Sequence, residues 1–298
     1  MKHISIIGAS MDLGQQRRGV DMGPSAIRYA GVVERLQNLG HTVTDLGDLA
    51  PPLPSAGSSS PETLRNIEQV VDVNTRLAEQ ISSAIASGSF PLTLGGDHSI
   101  AIGTVAGVAG HYENPGVIWY DAHADLNTSD TSPSGNIHGM PLAAALGLGE
   151  DRLTSIGGSE VKLCPENIVI FGARALDEGE KQLIKQLGIQ VYTMHEIDRH
   201  GMSVMMEEAI AYLKDKTDSV HLSLDLDALD PQHAPGVGTP VVGGLSYRES
   251  HLAMEMLAEA DIITSADFVE VNPILDEKNR TAKAAVDLIG SLFGEKLC

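Results

Sequence analysis

Three side chains that could bind a metal ion stand within five residues of this chain. The stretch 121–125 reads Asp-Ala-His-Ala-Asp and directly follows the apolar run 117–120. Alternate side chains of an extended strand point to the same side, so Asp121, His123 and Asp125 can converge on one point. Ionisable groups at the end of a buried strand are costly unless a partner neutralises them, and a cation is the simplest partner. The stretch alone leaves a hydrogen-bonded Asp–His pair equally open.

Two other apolar runs end in the same kind of residues. Gly95–Ser99, which contains Asp97 and His98, follows the apolar run 91–94, and Asp225-Leu226-Asp227 follows 220–224. Glycine and other small residues at such junctions let the backbone approach a ligand closely. The three junctions together supply six candidate metal ligands, namely His98, Asp121, His123, Asp125, Asp225 and Asp227.

The donor types restrict the metal and the chemistry. Two imidazoles and four carboxylates are too many for one structural zinc, which prefers four ligands and often sulfur. An oxygen-rich set with some imidazole suits Mn²⁺ best and leaves Fe²⁺, Co²⁺, Ni²⁺ and Zn²⁺ open, whereas histidine is a poor ligand for calcium. Bridging carboxylates suggest two ions about 3.5–4 Å apart that share a hydroxide. The predicted reaction class is metal-assisted hydrolysis.

The elements that must position these ligands can be predicted from the hydrophobic pattern. Eight short apolar runs predict strands near residues 3–8, 42–46, 91–95, 117–121, 167–172, 189–193, 219–225 and 263–270. Five amphipathic stretches between or after them predict helices at Glu62 to Ser87, Glu178 to Leu187, Ser203 to Lys214, Tyr247 to Ala260 and Ala282 to Phe293. The segment 51–61, rich in proline and serine, is interpreted as a surface loop.

This alternation is typical of a parallel sheet covered by helices on both faces, and uniformly apolar strands fit that burial. We therefore predict one α/β domain over residues 1–298, with three α/β/α layers around a mostly parallel sheet of about eight strands. Ligands of open parallel sheets bind beyond the carboxyl ends of the strands. All three ligand-bearing junctions lie at such ends.

Composition excludes several classes of function. With 298 residues and 42% hydrophobic content the chain can bury a large core. A formal net charge of −20, without a cluster of Lys or Arg, argues against nucleic-acid binding. No stretch approaches the length of a membrane span, and the N-terminal apolar run is too short for a signal peptide. Only Cys164 and Cys298 are present, so no disulfide framework is implied. We expect a cytoplasmic enzyme that acts on a small molecule.

The motifs as a set resemble the ureohydrolase family, and within it the arginases, especially those of bacilli. The resemblance covers nearly the whole chain and rests on the segments Gly19–Pro24, Gly95–Ser99, Asp121–Asp125, Ser134–Gly139, Ser223–Asp227 and Glu270–Pro273. It implies an arginase-like fold and hydrolysis of L-arginine to L-ornithine and urea. The implied cofactor is two Mn²⁺ per subunit, with a metal-bridging hydroxide that attacks the guanidinium carbon. A homotrimer or homohexamer is also implied.

The resemblance further assigns the metal ligands. It implies that one ion is held by His98, Asp121, Asp125 and Asp225. The other ion would be held by Asp121, His123, Asp225 and Asp227, so that Asp121 and Asp225 bridge the two ions.

Catalytic and substrate-binding roles follow from the same resemblance. Asp125 would carry a proton to the leaving amine, His138 would shuttle protons to solvent, and Glu270 would pair with the guanidinium. The implied substrate-binding residues are His123, Asn127, Ser134, Asn136, Asp177, Thr239 and Glu270. Positions for an α-carboxylate (127, 134 and 136) and an α-amino group (177) favour an amino acid over agmatine. Alternatively, Asn127 and Asn136 cap turns, and Asp177 caps the helix that begins near Glu178.

Three alanines depart from the family pattern. Ala124 and Ala228 stand where glycine is expected, and Ala175 stands where serine is common. A methyl group at a position with positive φ would be strained by about 1 kcal/mol or more, which makes Ala124 the first place to look for a defect. Two rival functions remain: another amidinohydrolase, such as an agmatinase or a guanidino-acid hydrolase, and a non-catalytic metal-binding or regulatory protein with this fold.

Overall fold

The computed structural model describes residues 1–51, 64–158 and 161–296. All eight predicted strands are present within a few residues of their predicted positions. They are β1 His3–Ala9, β2 Thr42–Leu49, β3 Phe90–Gly95, β4 Pro115–Tyr120, β5 Ile168–Ala173, β6 Gln190–Thr193, β7 Ser219–Asp225 and β8 Ile263–Val269. The loop predicted at 51–61 lies, apart from Pro51, outside the described residues.

The strands form one sheet with the order β2-β1-β3-β8-β7-β4-β5-β6. Every strand pair in it is parallel, so the predicted mostly parallel, eight-stranded sheet is confirmed. The three strands that precede the predicted ligands are β3, β7 and β4. Together with β8 they are four neighbours at the centre of the sheet. Their carboxyl ends therefore meet at one edge.

Burial of the strands follows their place in the sheet. Every residue of β3, β4, β5 and β7 is buried, as uniformly apolar sequences predict for strands covered on both faces. The expectation was wrong for β2, whose residues are mostly exposed. This strand lies at the edge of the sheet and carries Asp45 and Asp48, which both pair with Arg28. Charged side chains at an edge discourage pairing with another chain.

Helices pack on both faces of the sheet, which gives the three predicted layers. One core joins the sheet to α1, α2 and α8–α11, and two others join it to α3–α7. The helices are α1 Gly23–Tyr29, α2 Val32–Asn38, α3 Ile67–Ala86, α4 Ala101–Ala109, α5 Pro141–Ala145, α6 Asp151–Thr154, α7 Glu178–Leu187, α8 Met194–His200, α9 Met202–Lys214, α10 Tyr247–Ala260 and α11 Arg280–Leu292. Within the described ranges, no helix combines the length and apolarity needed to cross a membrane.

The five predicted helices correspond to α3, α7, α9, α10 and α11, and the predicted bounds of α7 and α10 coincide with the observed ones. Residues 62–63 of the first prediction lie outside the described residues. Six shorter helices in the described part of the chain were not predicted. The longest of them, α4, is apolar and buried almost throughout, so its sequence shows no polar face and no helical period.

Candidate metal centre

The predicted ligands lie together at the carboxyl edge of the four central strands. His98 lies in the turn after β3, the stretch 121–125 follows β4, and Asp225 is the last residue of β7. Glu270 directly follows β8, between the other junctions. Residues far apart in sequence thus meet because parallel strands present their carboxyl ends to the same side.

His98 is the centre of a first ligand group, which we define as His98, Asp121 and Asp225. Its Nδ1 lies 3.0 Å from Asp121 Oδ2 and 3.3 Å from Asp225 Oδ2. Asp125 Oδ2 is also 3.0 Å from this nitrogen. One ligand atom from each member of the group falls within 4.8 Å of the others, and all three residues are buried. This spacing suits a single cation between them.

A second ligand group consists of Asp121, His123 and Asp227. His123 Nδ1 lies 3.4 Å from Asp121 Oδ1 and 3.2 Å from Asp227 Oδ2. Asp121 therefore belongs to both groups and turns one oxygen toward each, as expected of a bridging carboxylate. Asp225 falls only within the first group, and its bridging role stays a prediction.

Hydrogen bonds behind His98 indicate how its ring is oriented. Ser223 Oγ donates to Asp267 Oδ1 at 2.6 Å and lies 2.8 Å from His98 Nε2. Because the hydroxyl proton is used by the carboxylate, the serine accepts from an Nε2–H, so the lone pair of the neutral ring is on Nδ1. His98 Nδ1 is buried and makes no hydrogen bond, although three carboxylates surround it. Burial would lower the pKa of His98, but the three carboxylates raise it well above its ordinary value, so positive charge is favoured at this point. A metal ion on the Nδ1 lone pair would supply that charge, and the donors fit one.

The same charges perturb the acids of the centre. Burial, reinforced by the charge of Asp121, raises the pKa of Asp125 to about 6. Burial and the neighbouring carboxylates raise the pKa of Asp225 well above its ordinary value. The pKa of Asp121 departs in the other direction: burial opposes its ionisation, but the adjacent imidazoles of His123 and His98 lower its pKa. A divalent ion would relieve the repulsion between these carboxylates.

A cavity of about 420 Å³ opens above the centre. Predicted site residues in its lining are His123, Asp125, Asn127, Ser134, His138, Asp177, Asp225 and Thr239. Asn136 and Glu270 do not line it. A larger surface groove of about 810 Å³ elsewhere contains none of the predicted residues. We take the smaller cavity as the candidate site because the ligand groups lie beneath it.

Several of the predicted substrate residues bind one another or the ligands. Asn127 Nδ2 donates to Asp177 Oδ2 at 3.0 Å, and Thr239 Oγ1 donates to the ligand Asp227 at 2.8 Å. Asp177 is also the N-cap residue of α7, so the capping alternative holds for its position. Ser134 Oγ accepts the Asn136 N–H at 3.2 Å within a turn. Asn136 precedes a short 3-10 helix at Ile137–Gly139, its side chain makes no capping bond there, and it does not line the cavity.

His138 and Glu270 form a pair beside the ligands. His138 Nδ1 lies 3.1 Å from Glu270 Oε1, which also accepts the His98 N–H at 3.0 Å. Gln15 donates to the other carboxylate oxygen at 2.9 Å. Burial alone would lower the pKa of His138, but Glu270 raises it to about 9. Burial would raise the pKa of Glu270, but the bond from His138 lowers it. The two side chains therefore carry opposite charges.

Comparison with known proteins identifies the family. A sequence profile described as the arginase family matches residues 2–294. The chain belongs to the arginase family. It is 66% identical to the arginase of Bacillus caldovelox over 100% of both chains, and 63% identical to that of Bacillus subtilis (strain 168) over 99% of both. The solved native structure of the Bacillus caldovelox arginase covers 100% of both chains with a TM-score of 0.97. The resemblance seen in the motifs is confirmed, and the chain is a hydrolase of this family.

The alanines that depart from the arginase family pattern are not strained. Among the described residues outside glycine, positive φ occurs at Asn66, Asp125, Asp261, Glu270, Lys278 and Asn279. Ala124, Ala175 and Ala228 are not among them, so the expected strain at Ala124 is absent. The strain lies in two functional candidates instead, Asp125 with φ 50° and Glu270 with φ 65°.

Sequence reasoning missed the residues that hold these family motifs in place. They are Gln15, Trp119, Arg174, Glu180, Ser223 and Asp267. Trp119 stacks on the His98 ring at 4.2 Å and donates to Asp121 Oδ2 at 3.0 Å. A signal existed for Asp267, which is an ionisable residue inside a largely buried strand. Glu180 could have been found as the third residue after Asp177, the spacing of a capping box.

Proposed function

We propose that the chain hydrolyses L-arginine to L-ornithine and urea with two Mn²⁺ ions. The observation that carries this proposal is the pair of ligand groups that share Asp121 at the base of the cavity. Membership of the arginase family supports it. The ions would be held by His98, Asp121, Asp125 and Asp225, and by Asp121, His123, Asp225 and Asp227. When bound, they supply Lewis-acid polarisation and a water-derived nucleophile near neutral pH.

Asp125 and His138 are the proposed proton carriers. Asp125 lines the cavity beside the ligand groups, so its carboxylate is placed to pass a proton to a bound substrate. We assign it to deliver a proton to the leaving amine as the C–N bond breaks. His138 also lines the cavity and is partly exposed, so it can exchange protons between the site and solvent. Glu270 would pair with the guanidinium and orient it; it contacts His138 and does not itself line the cavity.

Polar residues at the rim are proposed to recognise the amino-acid end of the substrate. Asn127 and Ser134 would bind the α-carboxylate, and Asp177 the α-amino group. Glu180 lies next to Asp177, to which it is hydrogen-bonded at 2.8 Å, and burial raises its pKa to about 7. Asn136 stays a weaker candidate because it does not line the cavity. We also propose a cytoplasmic homotrimer or homohexamer, which a light-scattering mass would test.

The test compares L-arginine with agmatine in the manganese-loaded protein. We expect urea from arginine at a much higher kcat/KM than from agmatine. Asp125→Asn should lower kcat by about 100-fold or more with an unchanged circular-dichroism spectrum. Asp177→Ala should raise KM for arginine. It should also lower the ratio of kcat/KM for arginine to kcat/KM for agmatine. Faster turnover of agmatine would identify an agmatinase, and bound manganese without urea from either substrate would favour a non-catalytic protein.

A further inference from the structure

Arg174 is the first residue after β5 and belongs to neither ligand group. Its backbone N–H and that of Ala175 both donate to Ala122 O, at 2.9 and 3.0 Å. Ala122 stands between Asp121 and His123, two of the three members of the second ligand group. The backbone of Arg174 therefore holds the peptide that joins these two ligands.

The side chain of Arg174 binds the segment that carries Asp227, the third member of the second ligand group. Nη2 donates to Asp227 O and to Val241 O, each at 2.7 Å, and Nη1 donates to Ala228 O at 3.0 Å. Longer bonds of 3.4 Å reach Leu229 O and Gly172 O. In the part of the chain that the structure describes, all hydrogen bonds of this guanidinium thus end on backbone carbonyls, and four of those carbonyls belong to the segment 227–241.

The residues around the Arg174 guanidinium leave room for it and restrict where it can lie. Its Nε is buried and has no hydrogen-bond partner among the described residues, so the contacts of the group are made by Nη1 and Nη2. A Cβ added at Gly244 would lie 2.5 Å from Nη2, and glycine there leaves the space that the guanidinium occupies. The planar fork of N–H donors matches several carbonyls at once, which the single ammonium of a lysine cannot do.

We infer that Arg174 is the positioning residue of the second ligand group. It joins the segment that carries Asp121 and His123 to the segment that carries Asp227, and so sets the affinity for the second ion. Asp121 is shared by both groups, but the guanidinium itself binds the segment of Asp227, which belongs to the second group alone. The second ion should therefore be weakened much more than the first. This inference rests on the proposed two-ion function but is tested by metal binding itself.

The test measures the manganese bound per chain, by mass spectrometry after equilibration at defined free Mn²⁺, in the full-length protein. In Arg174→Lys we expect one ion to stay tightly bound and the Kd of the other to rise about 10–100-fold. Arg174→Gln should raise the Kd of the second ion further than Arg174→Lys does. At saturating Mn²⁺ the KM of Arg174→Lys for arginine should return to that of the unsubstituted protein.

Two further variants serve as controls. Ser223→Ala removes the partner of His98 Nε2 and should weaken the first ion instead. Arg28→Lys removes a comparable set of hydrogen bonds at the edge of the sheet and should leave both ions bound.

Equal weakening of both ions in Arg174→Lys, or no change in either, would overturn the inference. A KM for arginine that stays raised at saturating Mn²⁺ would also overturn it, because Arg174 would then contact the substrate. If the unsubstituted protein binds two ions and forms no urea, the proposed function fails while the inference about Arg174 can still be decided.

Discussion

Asp121 presents one oxygen to each ligand group, and donors of the protein hold both oxygens. Trp119 Nε1 lies 3.0 Å from Oδ2, and the His123 N–H lies 2.7 Å from Oδ1. A carboxylate held in this way loses little rotational freedom when it binds a cation. The proposed bridging role therefore has a structural basis in its two fixed oxygens.

Substitution of Ala124 by glycine should have little effect on catalysis. It is buried in a hydrophobic core and does not have positive φ, so glycine at this position would relieve no strain. We expect Ala124→Gly to leave kcat/KM for arginine within about threefold. The free energy of unfolding should fall by about 0.5–1 kcal/mol because glycine has more backbone freedom when unfolded. Urea assays and denaturant unfolding would check both values. A large gain in activity would show instead that the alanine is a defect.

At the scale of single residues, the candidate metal ligands could be predicted from the sequence, but the residues that position those ligands could not. The ligands stand at strand ends in short motifs, where residue type and spacing are visible along the chain. The roles of Arg174 and Ser223 depend on contacts with segments more than 50 residues away, and no local pattern records these contacts. A serine within a strand or an arginine after one is common without such a role.

Among the elements, α4 positions the His98 turn through close packing on α3. Cβ atoms added at Gly103 and Gly107 would lie 2.6 Å from Asn74 O and 2.7 Å from Ala78 O. Asn74 also accepts the Gly103 N–H through its side chain at 2.7 Å. Two glycines thus allow the helix that begins three residues after His98 to approach its neighbour.

Gly107→Ala should therefore destabilise the protein despite the higher helix propensity of alanine. We expect a loss of about 1–3 kcal/mol in the free energy of unfolding, because the methyl group forces α3 and α4 apart. Gly110→Ala is a matched control, since its added Cβ would have no neighbour closer than 4.0 Å. Denaturant unfolding of both variants would decide the point. Equal stability of the two would contradict the packing argument.

At the edge strand β2, the ion pair with α1 predicts a dependence of stability on pH. Burial alone would raise the pKa of Asp45, but Arg28 and the Gly47 N–H lower it below its ordinary value of 3.8. A lowered folded pKa means that the pair stabilises the protein above about pH 4 and that this contribution is lost as the pH falls through the folded value.

Asp45→Asn should lower the free energy of unfolding at pH 7 by no more than about 1 kcal/mol, because the pair is partly exposed. The difference from the unsubstituted protein should shrink as the pH falls below about 4. Thermal unfolding over this pH range would measure it. A difference that grows toward acid pH would contradict the assignment.

Strands were predicted better than helices for a physical reason. A buried parallel strand is a short apolar run between polar residues, which is easy to see. A helix is recognised by its polar face, which α4 lacks, and the remaining unpredicted helices span seven residues or fewer. The strand order could not be predicted, because it depends on which face each connection crosses.

For the whole molecule, the metal ions should contribute strongly to stability. The chain has a formal net charge of −20, and the candidate ligands at one edge of its sheet include four buried carboxylates. Ligands that bind only the folded state stabilise it by about 2.7 kcal/mol per site when their free concentration is 100 times Kd. Chelation should therefore lower the unfolding temperature, and added Mn²⁺ should restore it. An unfolding temperature that does not respond to either treatment would argue against the metal centre.

The most direct test of the proposed function is the release of urea from L-arginine by the purified protein. The protein is freed of metal, reloaded with Mn²⁺ and incubated with arginine, and urea and ornithine are quantified together. We expect the two products in equal amounts, and no urea from the metal-free protein. A protein that binds two manganese ions and releases no urea from arginine would contradict the proposed function.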